Sequence, residues 1–292
     1  MDIKKKASGF IISIVIITIG RETLYPLVQK LLNQDIRHGF EIILVPQRKL
    51  KEDILNDKRI KIFYEPLGEG FAYYRNIGIS VSKGELIVFI DDDEFPMDEH
   101  WLERLTHPII DKRELVTTSG CYIPLGNGYL TDAISFLGFP GGGYIGFKNM
   151  WNIDQEGYTK HLCSGNCAFD KSFLKKIGRF SKNLFSGSED VDIAEKILQN
   201  SEKIMYVENA TVFHSPRSGL FNFIKWNIKR GKSAYEFAKN RKLKGSHVKG
   251  RFESSIKILK RSSRSKYFPA VLTLSISQYL LQFTGYMLKR ID

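Results

Sequence analysis

Hydrophobic positions fall along the chain in two alternating patterns. Phe10–Ile19 (FIISIVIITI) is a continuous, β-branched apolar run, as expected of a strand covered on both faces. Gly20 breaks it, and Thr23–Asn33 follows with Leu24, Leu27, Val28, Leu31 and Leu32 at helical spacing. Glu41–Val45 predicts a second buried strand and Ile60–Tyr64 a third. Gly70–Val81 predicts a helix stopped at Lys83-Gly84, Glu85–Ile90 a fourth strand, and Pro96–Leu105 a short helix. This alternation predicts an α/β fold, a mostly parallel sheet flanked by helices. Ligands of such sheets gather beyond the carboxyl ends of the strands, so the loops after Ile19, Val45 and Ile90 are expected to converge.

Later segments are less regular. Gly138–Gly146 (GFPGGGYIG) reads as a loop. Ser164–Phe169 (SGNCAF) precedes a helix over Lys171–Ile177, and a second helix runs from Ser188 to about Asn200. Lys203–Phe213 holds one or two strands and runs into His214. Basic helices follow Gly219, and Tyr267–Leu288 contains no charged residue. Ser275, Gln278, Gln282 and Gly285 share one stripe of a helix there, which predicts an amphipathic helix in a membrane interface or against the rest of the chain. Its 22 residues are also enough for a single span, a less favoured reading. Near the start, Lys4–Lys6 before an apolar run mimics a secretory signal, but no small-residue cleavage site follows.

Charge changes this picture. The 292 residues carry 44 Lys and Arg against 32 Asp and Glu, yet Lys225–Lys266 alone holds 15 of those cations against Glu236 and Glu253. A segment of net +13 seeks phosphate, of lipid headgroups or of nucleic acid, while residues 1–224 are close to neutral at −2. Three cysteines, Cys121, Cys163 and Cys167, are too few for a disulfide scaffold and lack the spacing of a structural zinc site. They fit a reducing, intracellular setting.

Chemistry concentrates at two acidic clusters. Asp91-Asp92-Asp93 ends a buried strand, and three adjacent carboxylates repel one another unless a cation or water compensates them. One reading is a divalent-metal site, Mg²⁺ or Mn²⁺ held by hard oxygen ligands against a diphosphate. The other is a solvated turn that caps the next helix. Ser186-Gly-Ser188-Glu189-Asp190 opens a helix, with Ser188 as N-cap and acids in the first turn, where the helix dipole favours them. That accounts for the pattern structurally; a general base at the mouth of a site is the alternative. His214, alone at a strand end, reads as a hydrogen-bonded structural residue. Gly68-Glu-Gly70 lacks the third glycine of a dinucleotide fingerprint, and the Glu94-Phe95-Pro96 that follows the aspartates does not suit a haloacid-dehalogenase-type phosphatase.

Taken in order, the pieces over about residues 10–220 resemble the family 2 glycosyltransferases of the GT-A fold. The opening strand with Thr18 and Arg21 is similar to that family's first nucleotide-binding loop, and Tyr74-Arg75-Asn76-Ile77-Gly78-Ile79 to its Ala-Arg-Asn-x-Gly-Ile helix. Gly84 to Asp93 resembles its strand and DxD motif. Ser164-Gly165-Asn166 with Gly178-Arg179-Phe180 resembles its acceptor-side segment, Glu189-Asp190-Val191-Asp192 its Glu-Asp motif, and His214 its late metal-contacting histidine. The resemblance implies a Rossmann-like GT-A catalytic domain over 1–219 and a basic helical extension over 220–292.

It also implies an activity: metal-dependent, inverting transfer of a sugar from a nucleoside-diphosphate sugar to an acceptor hydroxyl. Asp91, Asp93 and His214 would hold the metal; Thr18, Arg21, Gln47, Arg75, Asp91, Asp92 and Asp93 would bind the donor; Asp190, with Glu189, would be catalytic. The loop after Val45 departs from the pattern: Pro46-Gln47-Arg48 stands where the family usually has Asp-Asp-Gly-Ser, so Gln47 replaces the base-contacting aspartate. Expected partners are the donor, a saccharide or lipid-linked acceptor in cell-surface glycan synthesis, and an anionic membrane surface, with a peripheral place on its cytoplasmic face. The rival readings are a nucleotidyltransferase on a similar fold and, lower, a nucleic-acid-binding protein using the basic segment.

Overall fold

The computed structural model describes residues 11–51, 56–138, 141–240 and 246–291; Lys4–Lys6, Phe10 and the Phe139-Pro140 part of the glycine-rich loop lie outside them. Eight strands form one sheet in the order β3-β2-β1-β4-β9-β6-β10-β8. They are β1 (Ile11–Thr18), β2 (Gly39–Pro46), β3 (Ile60–Ile62), β4 (Leu86–Ile90), β6 (Val116–Thr118), β8 (Tyr158–Thr159), β9 (Asn166–Asp170) and β10 (Ile204–Tyr206). β1 pairs in parallel with β2 and β4, while β9 runs antiparallel between β4 and β6. A small second sheet joins β5 (Glu94–Pro96), β11 (Val212–His214) and β7 (Cys121–Tyr122).

Alternate residues of β1 serve two cores, which is why it is mostly apolar on both faces. Ile12, Ile14 and Ile16 pack with α1 (Leu24–Leu32) and α3 (Trp101–Ile110) on one face. Val15 belongs to the opposite core, with α2 (Phe71–Val81), α6 (Lys171–Lys176) and α7 (Glu189–Gln199). Gly78 lets α2 lie directly on β1, since a Cβ there would stand 2.2 Å from Val15 Cγ1. The buried Ser13 is satisfied by donating to Glu41 Oε1 at 2.6 Å and accepting from the Gly84 N–H.

Two local expectations are corrected. Glu94–Pro96 is a strand, not the approach to a helix, and α3 starts only at Trp101. Its backbone pairs with β11, a partner more than a hundred residues away that local periodicity does not register. Ser188 occupies the N-cap position of α7 but at φ +64°, and its hydroxyl bonds Ser233 rather than a helix N–H.

A third core joins the middle of the chain to its last helices. α4 (Tyr129–Phe136), α5 (Phe147–Met150), α8 (Leu220–Asn240), α9 (Ser246–Ser262) and α10 (Phe268–Ile291) build it from Ile134, Phe136, Met150, Phe223, Ile258 and Val271, joined by Ile123 and Tyr267 from the connecting segments. The Tyr267 hydroxyl donates to Asp132 at 2.8 Å. α8 and α10 meet backbone to backbone: Cβ atoms on Gly231 and Gly285 would lie 2.0 Å from Gln282 O and 2.1 Å from Ile228 O. The stripe of Ser275, Gln278, Gln282 and Gly285 is the inward one, with Ser275 and Gly285 buried and Gln282 donating to Asn227 at 2.9 Å. The apolar stripe of α10, Leu272, Ile276, Leu280 and Phe283, faces outward. No helix among the described residues is long and apolar enough to cross a membrane.

Candidate functional site

The chain ends of β1, β2 and β4 meet, as the alternation predicts. The Thr18 hydroxyl donates to Asp92 at 2.6 Å, and the Gln47 N–H donates to the Thr18 carbonyl at 2.9 Å. Asp92 is buried between Thr18 and the Arg21 guanidinium, 3.1 Å away. Burial outweighs both favourable partners and pushes its carboxyl up to about 6. Asp92 therefore anchors the acidic turn, while Asp91 and Asp93 project from it. Asp93 is paired with Arg21.

Arg75 joins the two acidic clusters. It is buried in α2, with Nη2 2.9 Å from Asp91 and Nη1 2.6 Å from Glu189. Its guanidinium also lies near the Phe89 and Phe180 rings, at 5.9 and 5.8 Å from their centroids. Burial alone would lower its pKa, but Asp91 and Glu189 overcome that and hold it above the ordinary range. Glu189 is buried, so desolvation raises its pKa against the pull of Arg75. Of the two acids opening α7, Glu189 is thus sealed in an ion pair, whereas Asp190 keeps partial exposure and accepts from the N–H of its neighbour Val191.

His214 is brought to the turn by the β5–β11 ladder, opposite Glu94, and the Ser215 N–H donates to the Asp93 carbonyl at 2.9 Å. Its Nδ1 lies 2.6 Å from the Ser215 carbonyl, which can only accept, so Nδ1 carries the proton. Its Nε2 lies 3.7 Å from Asp93 Oδ1. An imidazole nitrogen and a carboxylate oxygen are both ligand types for a divalent cation, and a carbonyl fixing the far nitrogen is the usual support of a metal-ligating imidazole. Among the described residues, no three His, Cys, Asp or Glu side chains already stand at metal-holding positions. Arg21 and Arg75 supply the counter-charge to Asp93 and Asp91.

One contributor escaped the sequence, and another, Gly165, stood there only as part of an acceptor-side segment. Glu94 is buried beside Asp91, and burial together with Asp91's charge holds its carboxyl well above the usual range. Only its position one residue past the aspartates hinted at it. Gly165 permits the crowding, since a Cβ there would lie 2.5 Å from Glu94 Oε2 and 2.9 Å from the Asp91 carboxyl. The adjacent Asn166 is structural, bridging the Gly120 and Ala210 carbonyls at 2.9 and 2.8 Å while accepting from Trp101. Gly165→Ala is expected to lower Tm by several degrees, the cost of overpacking a filled site being about 1–3 kcal/mol. Thermal unfolding of the variant checks this.

The acidic turn, the buried arginine and the opening of α7 thus form one constellation at the carboxyl edge of the sheet. Solved structures share this architecture, which is the GT-A fold. GalNAc-T7 in complex with UDP, GalNAc and Mn²⁺ superposes with a TM-score of 0.56 at 16% identity, over 89% of this chain and 58% of that one. The mannosyltransferase PcManGT from Pyrobaculum calidifontis, in complex with GDP-Man and Mn²⁺, gives 0.57 at 15% identity over 94% and 81%. An uncharacterized glycosyltransferase of Haemophilus influenzae is 33% identical over 98 residues, 31% of this chain and 38% of that protein. The chain therefore matches well under half the length of that relative. The sequence model described as Glycosyl transferase family 2 matches residues 13–178, more than half of the chain. The chain belongs to glycosyl transferase family 2.

Proposed function

We propose that the chain is a metal-dependent, inverting glycosyltransferase that moves a sugar from a nucleoside-diphosphate sugar to an acceptor hydroxyl. The observation that carries this reading is the Arg75 bridge, because it couples the Asp91 turn to Glu189, the first residue of α7 and the neighbour of Asp190. GalNAc-T7 and the archaeal mannosyltransferase carry a nucleotide or nucleotide sugar with Mn²⁺, and a donor of the same class is proposed here.

Asp91, Asp93 and His214 would hold the divalent cation, Mg²⁺ or Mn²⁺, which when bound neutralises charge on the diphosphate. Arg21 adds positive charge on the same side, where the leaving group becomes more negative as its bond to the anomeric carbon breaks. Thr18 and Asp92 keep Arg21 and the turn in position, and Gln47 offers the amide that meets the nucleobase. On the opposite face of the sugar, Asp190 accepts the proton of the acceptor hydroxyl as its oxygen bonds to the anomeric carbon. Glu189 is a positioning residue that acts through Arg75. The test is a panel of nucleotide sugars, with Mn²⁺, Mg²⁺ or EDTA, scored by product. Metal-dependent release of nucleoside diphosphate with a glycosylated acceptor is expected; release of pyrophosphate would mean nucleotidyl transfer instead.

A peripheral position on an anionic membrane belongs to the same proposal. It rests on α10, whose outward Leu280 and Phe283 are each 65% exposed, and on Phe252 of α9, 64% exposed. An apolar stripe flanked by cations is the pattern of an interfacial helix. Flotation with vesicles containing phosphatidylglycerol is expected to carry the protein, and the double variant Leu280→Glu/Phe283→Glu to remain behind. Equal recovery of both would remove the membrane from the proposal.

A further inference from the structure

α8 docks on the loop that leads into α7. The Ser186 N–H and hydroxyl donate to Glu236 at 2.8 and 2.9 Å, and Ser233 bonds Ser188. Trp226, Arg230 and Ser233 follow one another at helical i, i+4, i+7 spacing, so Ser233 places that face of α8 next to the Asp190 turn. Along it, the Trp226 ring holds two guanidinium groups, Arg217 at 4.7 Å and Arg230 at 4.6 Å from its centroid. From α9 comes Arg251, whose Nη1 lies 3.5 Å from Gln282 Oε1 of α10.

These arginines stand together at a cost. No carboxylate among the described residues lies within ion-pair distance of Arg230 or Arg251. Burial pushes the Arg230 pKa down to about 9, and the charges of Arg251 and Arg217 push the same way, with Asp190 opposing them. Arg251 is likewise lowered, chiefly by burial, with Asp190 again on the favourable side. Like charges brought together and partly screened from water destabilise a fold unless something anionic completes the set. Asp190 supplies one negative charge for the pair. The close backbone contact at Gly231 and Gly285 fixes α8 against α10, so the cluster cannot relax by parting those helices.

We propose that Arg230 and Arg251, on the platform of Trp226, bind a phosphate group carried by the acceptor and so present the acceptor hydroxyl to Asp190. The guanidinium fork matches phosphate oxygens two at a time. The inference rests on the reading of Asp190 as base. The shared chemistry is a phosphate monoester or diester, whether on a lipid headgroup or on a water-soluble molecule.

Two measurements test it. In the first, full-length protein in EDTA is melted in sodium phosphate and in sodium chloride of equal ionic strength. Phosphate is expected to raise the wild-type Tm and to leave Arg230→Gln/Arg251→Gln unmoved, while that variant in chloride melts no lower than wild type, because the repulsion is gone. In the second, transfer is assayed to a polyprenyl phosphate in detergent, to glycerol phosphate in water, and to the matching unphosphorylated alcohols. Each Gln variant is expected to raise KM for the phosphorylated acceptor about tenfold or more, the effect of one lost charged hydrogen bond. Affinity for nucleoside diphosphate with Mn²⁺ should stay within about twofold, and Arg230→Lys, keeping charge but not the fork, should fall between. Preference for the lipid or for the soluble phosphate then names the source. A wild type indifferent to phosphate in both measurements, or variants with unchanged KM and a lowered Tm in chloride, would overturn the proposal. Normal turnover by Asp190→Asn would instead remove the base assignment, and the phosphate-dependent Tm shift would survive it.

Discussion

Asp190→Asn is expected to reduce kcat by about 10² to 10⁴-fold while leaving nucleotide affinity within about twofold, the range for removal of a positioned general base. The amide has the shape of the carboxylate but cannot accept the acceptor's proton. The helix that carries it keeps its first-turn acids Glu189 and Asp192, so folding should be little affected. Glu189→Gln should behave differently. It takes away a carboxylate that Arg75 neutralises, and its losses should appear in stability as well as in rate, since Glu189 is buried at 6% exposure. Steady-state kinetics and nucleotide titration on the two variants separate the base from the residue that positions it.

Arg75→Met is expected to be the most destabilising single change at the site, by about 3–5 kcal/mol, or roughly 10 °C in Tm. Its side chain is 3% exposed and faces Glu189 at 8%, so removal strands a carboxylate with little access to water. Asp91, at 39%, can turn to solvent and contributes less. Adding Glu189→Gln to Arg75→Met should therefore recover part of the loss, because the stranded charge disappears with it. Thermal melts of the two single variants and the double variant give the coupling directly. Additive losses would mean that the bridge matters less than its geometry implies.

The sheet was readable because its strands announce themselves locally. β1 and β4 are apolar on both faces, and α1 shows its buried stripe at Leu24, Leu27, Val28 and Leu31. The acidic turn was readable for a similar reason, as polar residues crowded where a buried strand stops. Reading failed where the determinant is a distant partner. Glu94–Pro96 borrows its strand conformation from β11, and Glu94 owes its burial to that pairing and to the missing side chain of Gly165. The stripe on α10 was correctly grouped, but its orientation was not given by composition: two glycines let polar and small residues pack inward and leave Leu280 and Phe283 outside. The late cations counted only as a sum, since nothing in their spacing separates Arg230 and Arg251 from their solvated neighbours.

The central claim is that one cation, gripped from both sides of the acidic turn, receives the donor's diphosphate. A crystal of the protein grown with Mn²⁺ and a nucleoside diphosphate, phased on the manganese anomalous signal, tests it most directly. A single peak is expected between Asp93 and the Nε2 of His214, in contact with the diphosphate, with Arg21 swung away from Asp93 toward the phosphates. Manganese bound elsewhere, or a nucleotide seated without it beside an unbroken Arg21–Asp93 pair, would mean that these residues do not hold the cation.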